Sequence, residues 1–268
     1  MKPTNSTNIN YAALDKLSWK LGCQAYTFRE MSASETLDVL HNLGIRYVEF
    51  YPGQKLAPDQ PEVKVSHDMP FAETEWLKQK LRETGVTAIN YGVVPLPNDE
   101  AQARKVFNWA RNLGIKTIVS EPPEDAFVML DKLCAEYQID VAIHDHPKPS
   151  HYWNPDAVLK VCEGRSDRIG ACADVGHWYR SGLVPLDCLK KLDGRIISLH
   201  FKDIAENKKD VPWGTGKCDV KALMIELKRQ GVKPVFSIEY ESTTGQELID
   251  NVAKSIDYFS KVATELSK

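Results

Sequence analysis

The sequence has no CxxC pair, no run of about 18 apolar residues and no glycine-rich phosphate turn after an early strand. Each absence removes a class. Six cysteines occur, at Cys23, Cys134, Cys162, Cys172, Cys188 and Cys218, without thiolate-metal spacing. A chain of 268 residues needs no disulfide framework to hold a core, so they read as buried or incidental thiols. Without a long apolar run there is no transmembrane helix, and no membrane partner is expected. Without the glycine-rich turn, the doubly wound dinucleotide-binding sheet loses its usual signature. The opening MKPTNSTNINYAALDK lacks an apolar core, so no secretory signal is read. The expectation is a cytoplasmic protein, or a periplasmic one if a leader was removed. The formal charge of −3 makes the molecule no general attractor of phosphate backbones, and no nucleic-acid partner is expected. What is present is ordinary globular material: 43% hydrophobic and 26% charged residues, enough to bury a core.

Short β-like runs alternate with amphipathic stretches along the whole chain. The strands read as Leu21–Tyr26, Tyr47–Tyr51, Val86–Val93, Thr117–Ser120, Val141–His144, Ile169–Asp174, Ile196–Phe201 and Val235–Glu239. Helices read as Ser34–Leu43, Phe71–Glu83, Asp99–Leu113, Asp125–Tyr137, Pro155–Cys162, Pro185–Leu192, Val220–Gln230 and Gln246–Leu266. Eight strands, each followed by a helix and with no break in composition, predict an α/β fold: a single (β/α)8 TIM barrel over residues 20–268, after an N-terminal extension over 1–19. The Pro-rich connection from Pro52 to Pro70 is long for a barrel loop and reads as part of a lid.

In a parallel barrel, reactive groups project from the C-terminal strand ends. There the sequence places Glu49 after strand two, Tyr91 after strand three and Glu121 after strand four. It places His144, Asp145 and His146 after strand five, and Asp174 and His177 after strand six. Strand seven ends in His200, Lys202 and Asp203, and strand eight in Glu239 and Glu241. Any one of these residues alone would read as a rim ion pair, a turn cap or packing. Gathered at five successive strand ends roughly 5 Å apart, they share one mouth. Converging carboxylates and imidazoles would repel or be desolvated without a cation, so a shared divalent metal is expected. The mixed oxygen and imidazole donors suit Mn, Zn, Co, Fe or Mg better than a thiolate-seeking ion. Tyr152 and Trp153 beside His151 read as a ring-stacking wall, and His67 as a loop residue able to visit the mouth. Tyr26, Phe28, Trp178 and Trp213 read as core or pocket wall.

The segments AspValGlyHis at 174–177, LeuHisPheLysAsp at 199–203, TrpGlyThrGlyLysCysAspVal at 213–220 and SerIleGluTyrGlu at 237–241 resemble the xylose isomerase-like barrels, which include sugar phosphate isomerases and epimerases and endonuclease IV. The resemblance runs from LeuGlyCysGln at 21–24 to the strand-eight end. It implies metal ligation by Asp174, His200 and Glu239. It also implies a contact of His177 with substrate or metal and of Lys202 with substrate. Apart from the resemblance, the strand-end residues Glu49 and Tyr91 and the aromatic residues Trp178 and Trp213 are read as further substrate-binding candidates. Where the family's epimerases place a second glutamate at the end of strand five, this chain has His144. Glu121 is therefore expected to complete the metal shell, leaving His144 or His146, or else Glu239, to move a proton.

The expected reaction is proton abstraction beside a carbonyl of a small sugar or keto-sugar, giving isomerisation or epimerisation. Loss of a β-substituent, by a lyase or dehydratase, is the rival outcome, because the two-glutamate pair is missing. DNA repair would need a richer metal set and basic wedge residues. A non-catalytic sugar-binding protein need not keep the charged set. The partner expected is a small carbohydrate, and self-association into a homo-oligomer is left open.

Overall fold

The computed structural model describes residues 2–268. Its eight barrel strands, in chain order, are Lys20–Gln24, Tyr47–Phe50, Thr87–Tyr91, Thr117–Ser120, Asp140–His144, Ile169–Asp174, Ile196–Phe201 and Val235–Ile238. All pair in parallel, and the first strand bonds to both the second and the eighth, so the sheet closes. The fold is a single (β/α)8 TIM barrel.

Differences from the expected boundaries are local. The first strand stops at Gln24, and a 3-10 turn over Ala25–Phe28 carries the chain outward. The connection from Pro52 to Pro70 contains an antiparallel hairpin of Lys55–Ala57 and Gln60–Lys64. Residues expected as a separate N-terminal extension include a helix, Tyr11–Leu17, with Leu14 and the following Trp19 buried in the main core. Thr4 also reaches Asp250 on the final helix, Gly245–Leu266.

Local chemistry sets the helix ends. Ser32 caps Ala33–Asn42 by accepting from the Glu35 backbone N–H, while the Glu35 carboxylate accepts from the Ser32 N–H, a reciprocal capping box. Glu100–Leu113 begins at Asp99, whose side chain accepts from Gln102 N, and ends at Gly114 with φ +77°, a left-handed position where other residues are strained.

The main apolar core lies between strands and helices. A second, small cluster of Val119, Ala142 and Cys172, with Val93 and Ile197 against it, fills the barrel interior. The six cysteines are all buried and free. Among the described residues, no helix is long and apolar enough to cross a membrane.

Candidate metal centre and substrate pocket

Strand pleat decides which strand-end residues meet. Side chains alternate faces along a strand, so the residue two places beyond an inward-facing one also faces inward. Ala142 and Cys172 face the barrel interior. Two places on stand His144 and Asp174. On strands seven and eight, Ser198 and Ser237 make buried interior hydrogen bonds with Asn90 and Glu49, and two places on stand His200 and Glu239. His144, Asp174, His200 and Glu239 each bring one ligand atom into a group whose atoms all lie within 4.8 Å of one another, and all four residues are buried. Ligand atoms about 2.0–2.2 Å from one ion would fall within that spread.

The donors have an unfinished character. Asp174 Oδ2, His200 Nδ1 and Glu239 Oε2 are buried and accept no hydrogen bond. His200 Nδ1 faces Glu239 Oε2 at 3.1 Å, while its Nε2 lies 2.7 Å from Glu49 Oε1. In a neutral ring with Nε2–H donating to Glu49, Nδ1 carries a lone pair and two acceptors face each other; against burial, the surrounding charges raise the His200 pKa well above its ordinary value, so the gap calls for a proton or a metal ion. Such an arrangement is costly unless a cation joins them. The residues fit a divalent ion with mixed oxygen and imidazole ligands.

Glu49 does not line the cavity but is hydrogen-bonded to His200 of the four-residue group. Its carboxylate, fully buried, accepts from His200 Nε2, Gln24 Nε2, Asn90 Nδ2 and Ser237 Oγ. The fixed donor set orients His200, as outer partners of metal-binding imidazoles do.

Glu121 is placed differently from the expectation. It is outside the four-residue group, which His144 completes, but forms a second group with His144 and His146 whose ligand atoms also lie within 4.8 Å of one another. Glu121 Oε1 accepts from His144 Nδ1 at 3.1 Å and makes a short contact with His146 Nδ1, and Oε2 accepts from Ser150 Oγ. Glu121 follows Ser120, the last residue of the fourth strand, and lies on the Nδ1 side of His144, while His144 Nε2 is 3.7 Å from Asp174 Oδ2. Burial pushes the Glu121 carboxyl up, but bonds from His144 and His146 outweigh it and hold it well below the usual range. The bond to Glu121 raises His146. His146 is half-exposed, its ring stacks 5.6 Å from that of His177, and both line the mouth.

His177 is buried, with Nε2 3.4 Å from Asp174 Oδ2, and Asp174 Oδ1 accepts from its backbone N–H at the start of helix Val175–Arg180. Burial drives the His177 imidazole down to about 2, against the pull of Asp174. A neutral ring is therefore presented to the pocket. Lys202 is buried and meets three carboxylates: Asp174 Oδ2 and Glu239 Oε2, each at 2.8 Å, and Glu241 Oε1 at 2.9 Å. Only the bond to Glu241 has hydrogen-bond geometry. Burial alone would lower its pKa, but the carboxylates raise it well above the ordinary lysine value.

Above this floor opens a cavity of about 560 Å³, walled by Gln24, Tyr26, Tyr51 and Pro52 on one side and His144, His146, Pro147 and His177 on the other, with Glu239 and Glu241 below. A larger hollow beside Trp213 and Tyr258 lacks the ligand group.

Three expected pocket residues lie elsewhere. Tyr91 is fully buried, its ring 4.6 Å from Trp109 of the surrounding helix layer and its hydroxyl at His67. Trp178 is in the core, and Trp213 packs against Phe201 and Phe259. Large apolar rings find more contact in the helix layer than at a polar mouth. Tyr152 is also buried, donating to Pro122 O, and Trp153 lies under Lys148 Nζ. Gln24 and Tyr51, not singled out from the sequence, line the cavity. Gln24 ends the first strand, so the strand-end rule alone points to it.

Comparison with known proteins agrees with this architecture. The family model of xylose isomerase-like TIM barrels matches residues 37–262. A protein of known structure from Parabacteroides distasonis ATCC 8503, uncharacterized, is 34% identical, with a TM-score of 0.74 over 91% of this chain and 99% of that one. A D-tagatose 3-epimerase-like protein shares the fold at 15% identity, with a TM-score of 0.71 over 92% of this chain and 99% of that one. So does the IOLI protein, solved with a bound zinc atom, at 18% identity, with a TM-score of 0.67 over 92% and 98%. The comparison with curated proteins yields no match. The chain belongs to the xylose isomerase-like TIM barrel family.

Proposed function

We propose that this protein is a divalent-metal-dependent enzyme that removes a proton beside a carbonyl of a small sugar or keto-sugar and returns it to give an isomer or epimer. The observation that supports this most is the group of buried acceptors without partners, Asp174 Oδ2, His200 Nδ1 and Glu239 Oε2, beside a cavity of about 560 Å³ that Glu239 and His144 of the same group line. His144 would supply the fourth ligand atom. A divalent ion held there would supply Lewis-acid stabilisation of the oxyanion that develops on proton loss.

The chain's own groups do the rest. His146, held at Nδ1 by Glu121, presents Nε2 to the cavity and takes the proton; Glu121 orients the ring and favours its charged form. Glu239, on the floor, is placed to act on the opposite side of a bound sugar. His177 supplies a neutral imidazole for a substrate hydroxyl. Lys202, expected against the substrate, lies below the floor and reaches it only through Asp174, Glu239 and Glu241.

His144 at the fifth strand end favours a second reading. With an imidazole where a second carboxylate base would stand, the same proton abstraction can end in β-elimination, with His146 in its protonated form assisting the leaving group. The test is to follow keto-sugars and their glycosides in deuterated water with metal-loaded and chelator-stripped protein. Metal-dependent deuterium uptake without loss of water or aglycone supports the isomerase reading. Release of either supports elimination, and neither under metal loading would overturn both.

A further inference from the structure

Lys202 Nζ stands 2.8 Å from Asp174 Oδ2 and 2.8 Å from Glu239 Oε2, the oxygens of two members of the four-residue group that have no hydrogen-bond partner. We propose that Lys202 is an internal cation that competes with the divalent ion for Asp174 and Glu239, and that metal loading sends its ammonium to Glu241. The proposal rests on the reading of the four-residue group as a metal centre.

The first support is geometry. An ion about 2.1 Å from an oxygen that the ammonium approaches at 2.8 Å lies less than about 5 Å from that ammonium. Two positive charges that close, on shared oxygens in a buried site, repel strongly. Neither of the two shared contacts has hydrogen-bond angles, whereas the contact with Glu241 Oε1 does. The lysine therefore already has one directed bond to keep when it lets go of the other two oxygens.

The second support is charge balance. Arg180 pairs with Asp210 at 3.0 Å, with Glu241 farther off at 3.9 Å. That leaves Asp174, Glu239 and Glu241 sharing Lys202. A divalent ion balances Asp174 and Glu239, and Lys202 then balances Glu241. Without the ion, Lys202 alone serves three carboxylates. The lysine keeps the empty centre from carrying bare, desolvated negative charge, at the expense of metal affinity.

The third support is the space made for it. A Cβ on Gly176 would lie 2.8 Å from Lys202 Cβ and 2.9 Å from its Cδ, so the glycine of AspValGlyHis is what admits the lysine stem.

The experiment measures Zn²⁺ and Mn²⁺ binding to chelator-stripped full-length protein by calorimetry, with melting temperatures of the stripped forms. Lys202→Met keeps the stem and removes the charge. It is expected to bind metal at least tenfold more tightly than wild type and to melt lower when stripped, with a larger rise on zinc addition. Glu241→Gln removes the lysine's alternative partner and is expected to weaken binding about tenfold. If both variants bind as wild type does, or Lys202→Met binds more weakly, the competition is refuted while the metal centre stands. If neither wild type nor Lys202→Met binds either ion, the metal reading itself fails and the proposal with it. Should Lys202→Met not fold, Glu241→Gln decides: weaker binding supports the proposal and unchanged binding overturns it.

Discussion

Glu49 Oε1 lies 2.7 Å from His200 Nε2 and so determines which nitrogen of that ring faces Glu239. The carboxylate accepts from four side-chain donors that converge from four other strands of the barrel. Glu49→Gln would turn an amide N–H₂ toward one or more of those donors. The His200 ring then loses its fixed tautomer. Zinc affinity is expected to fall 10–100-fold, the range for outer partners of metal-binding histidines, with the fold retained by circular dichroism. Unchanged zinc affinity would remove Glu49 from any role at the centre.

The barrel and the mouth were legible in the sequence because both follow from period. Strand runs separated by capped helices give the architecture, and polar residues at the ends of those runs mark the mouth. What could not be read was which polar residue turns inward. Glu121 and Glu239 each stand one residue past a strand end, at Ser120 and Ile238, yet only Glu239 joins the four-residue group, and no strand-end rule separates them. Tyr91 likewise ends its strand but packs outward on Trp109, because a strand end offers both faces. The role of Glu49 was hidden for another reason. It depends on Gln24, Asn90, Ser198 and Ser237, polar residues each on a different strand, whose convergence no local pattern announces.

Removing the proposed base separates chemistry from metal binding. His146 is outside the buried four-residue group and belongs only to the more exposed one with Glu121 and His144, so, with the ion in the buried group as proposed, His146→Gln is expected to keep zinc or manganese affinity within a few-fold of wild type. Turnover should fall by about 10²–10⁴, the usual contribution of a positioned acid or base. Glu121→Gln touches both His146 and His144, so it should lower turnover and weaken metal binding together. Single-turnover deuterium exchange alongside calorimetry tests the pair. Loss of metal in His146→Gln would overturn the division of labour.

The capping box at Ser32 gives a pH signature away from the mouth. Bonds from the Ser32 side chain and backbone lower the pKa of Glu35. A lowered folded value means that the stabilisation is present above the unfolded glutamate pKa and is lost as pH falls through the folded one. Ser32→Ala should cost about 1 kcal/mol at pH 7 in urea unfolding. The difference between wild type and variant should shrink as pH drops below about 4, the unfolded glutamate range. A constant difference down to pH 3 would mean that the serine acts without the carboxylate.

Gly176 sets two effects of opposite sign against each other. It lies inside helix Val175–Arg180, where glycine is disfavoured relative to alanine by roughly 0.5–1 kcal/mol, so Gly176→Ala on propensity alone would stabilise. Yet the added methyl would stand 2.8 Å from Lys202 Cβ, 2.9 Å from Lys202 Cδ and 3.0 Å from Ile204 Cδ1. The lysine is held at its far end by Glu241, and Ile204 is fully buried, so neither yields freely. Overpacking of this kind typically costs about 1–3 kcal/mol. The steric cost outweighs the gain in helix propensity, and the variant should be less stable by up to about 2.5 kcal/mol in urea unfolding, the difference between those two ranges. Pairing it with Lys202→Ala removes the contact with Cδ but keeps the one with Cβ, so it should recover only part of the loss caused by the methyl. If the two substitutions are simply additive, the methyl and the stem beyond Cβ do not meet.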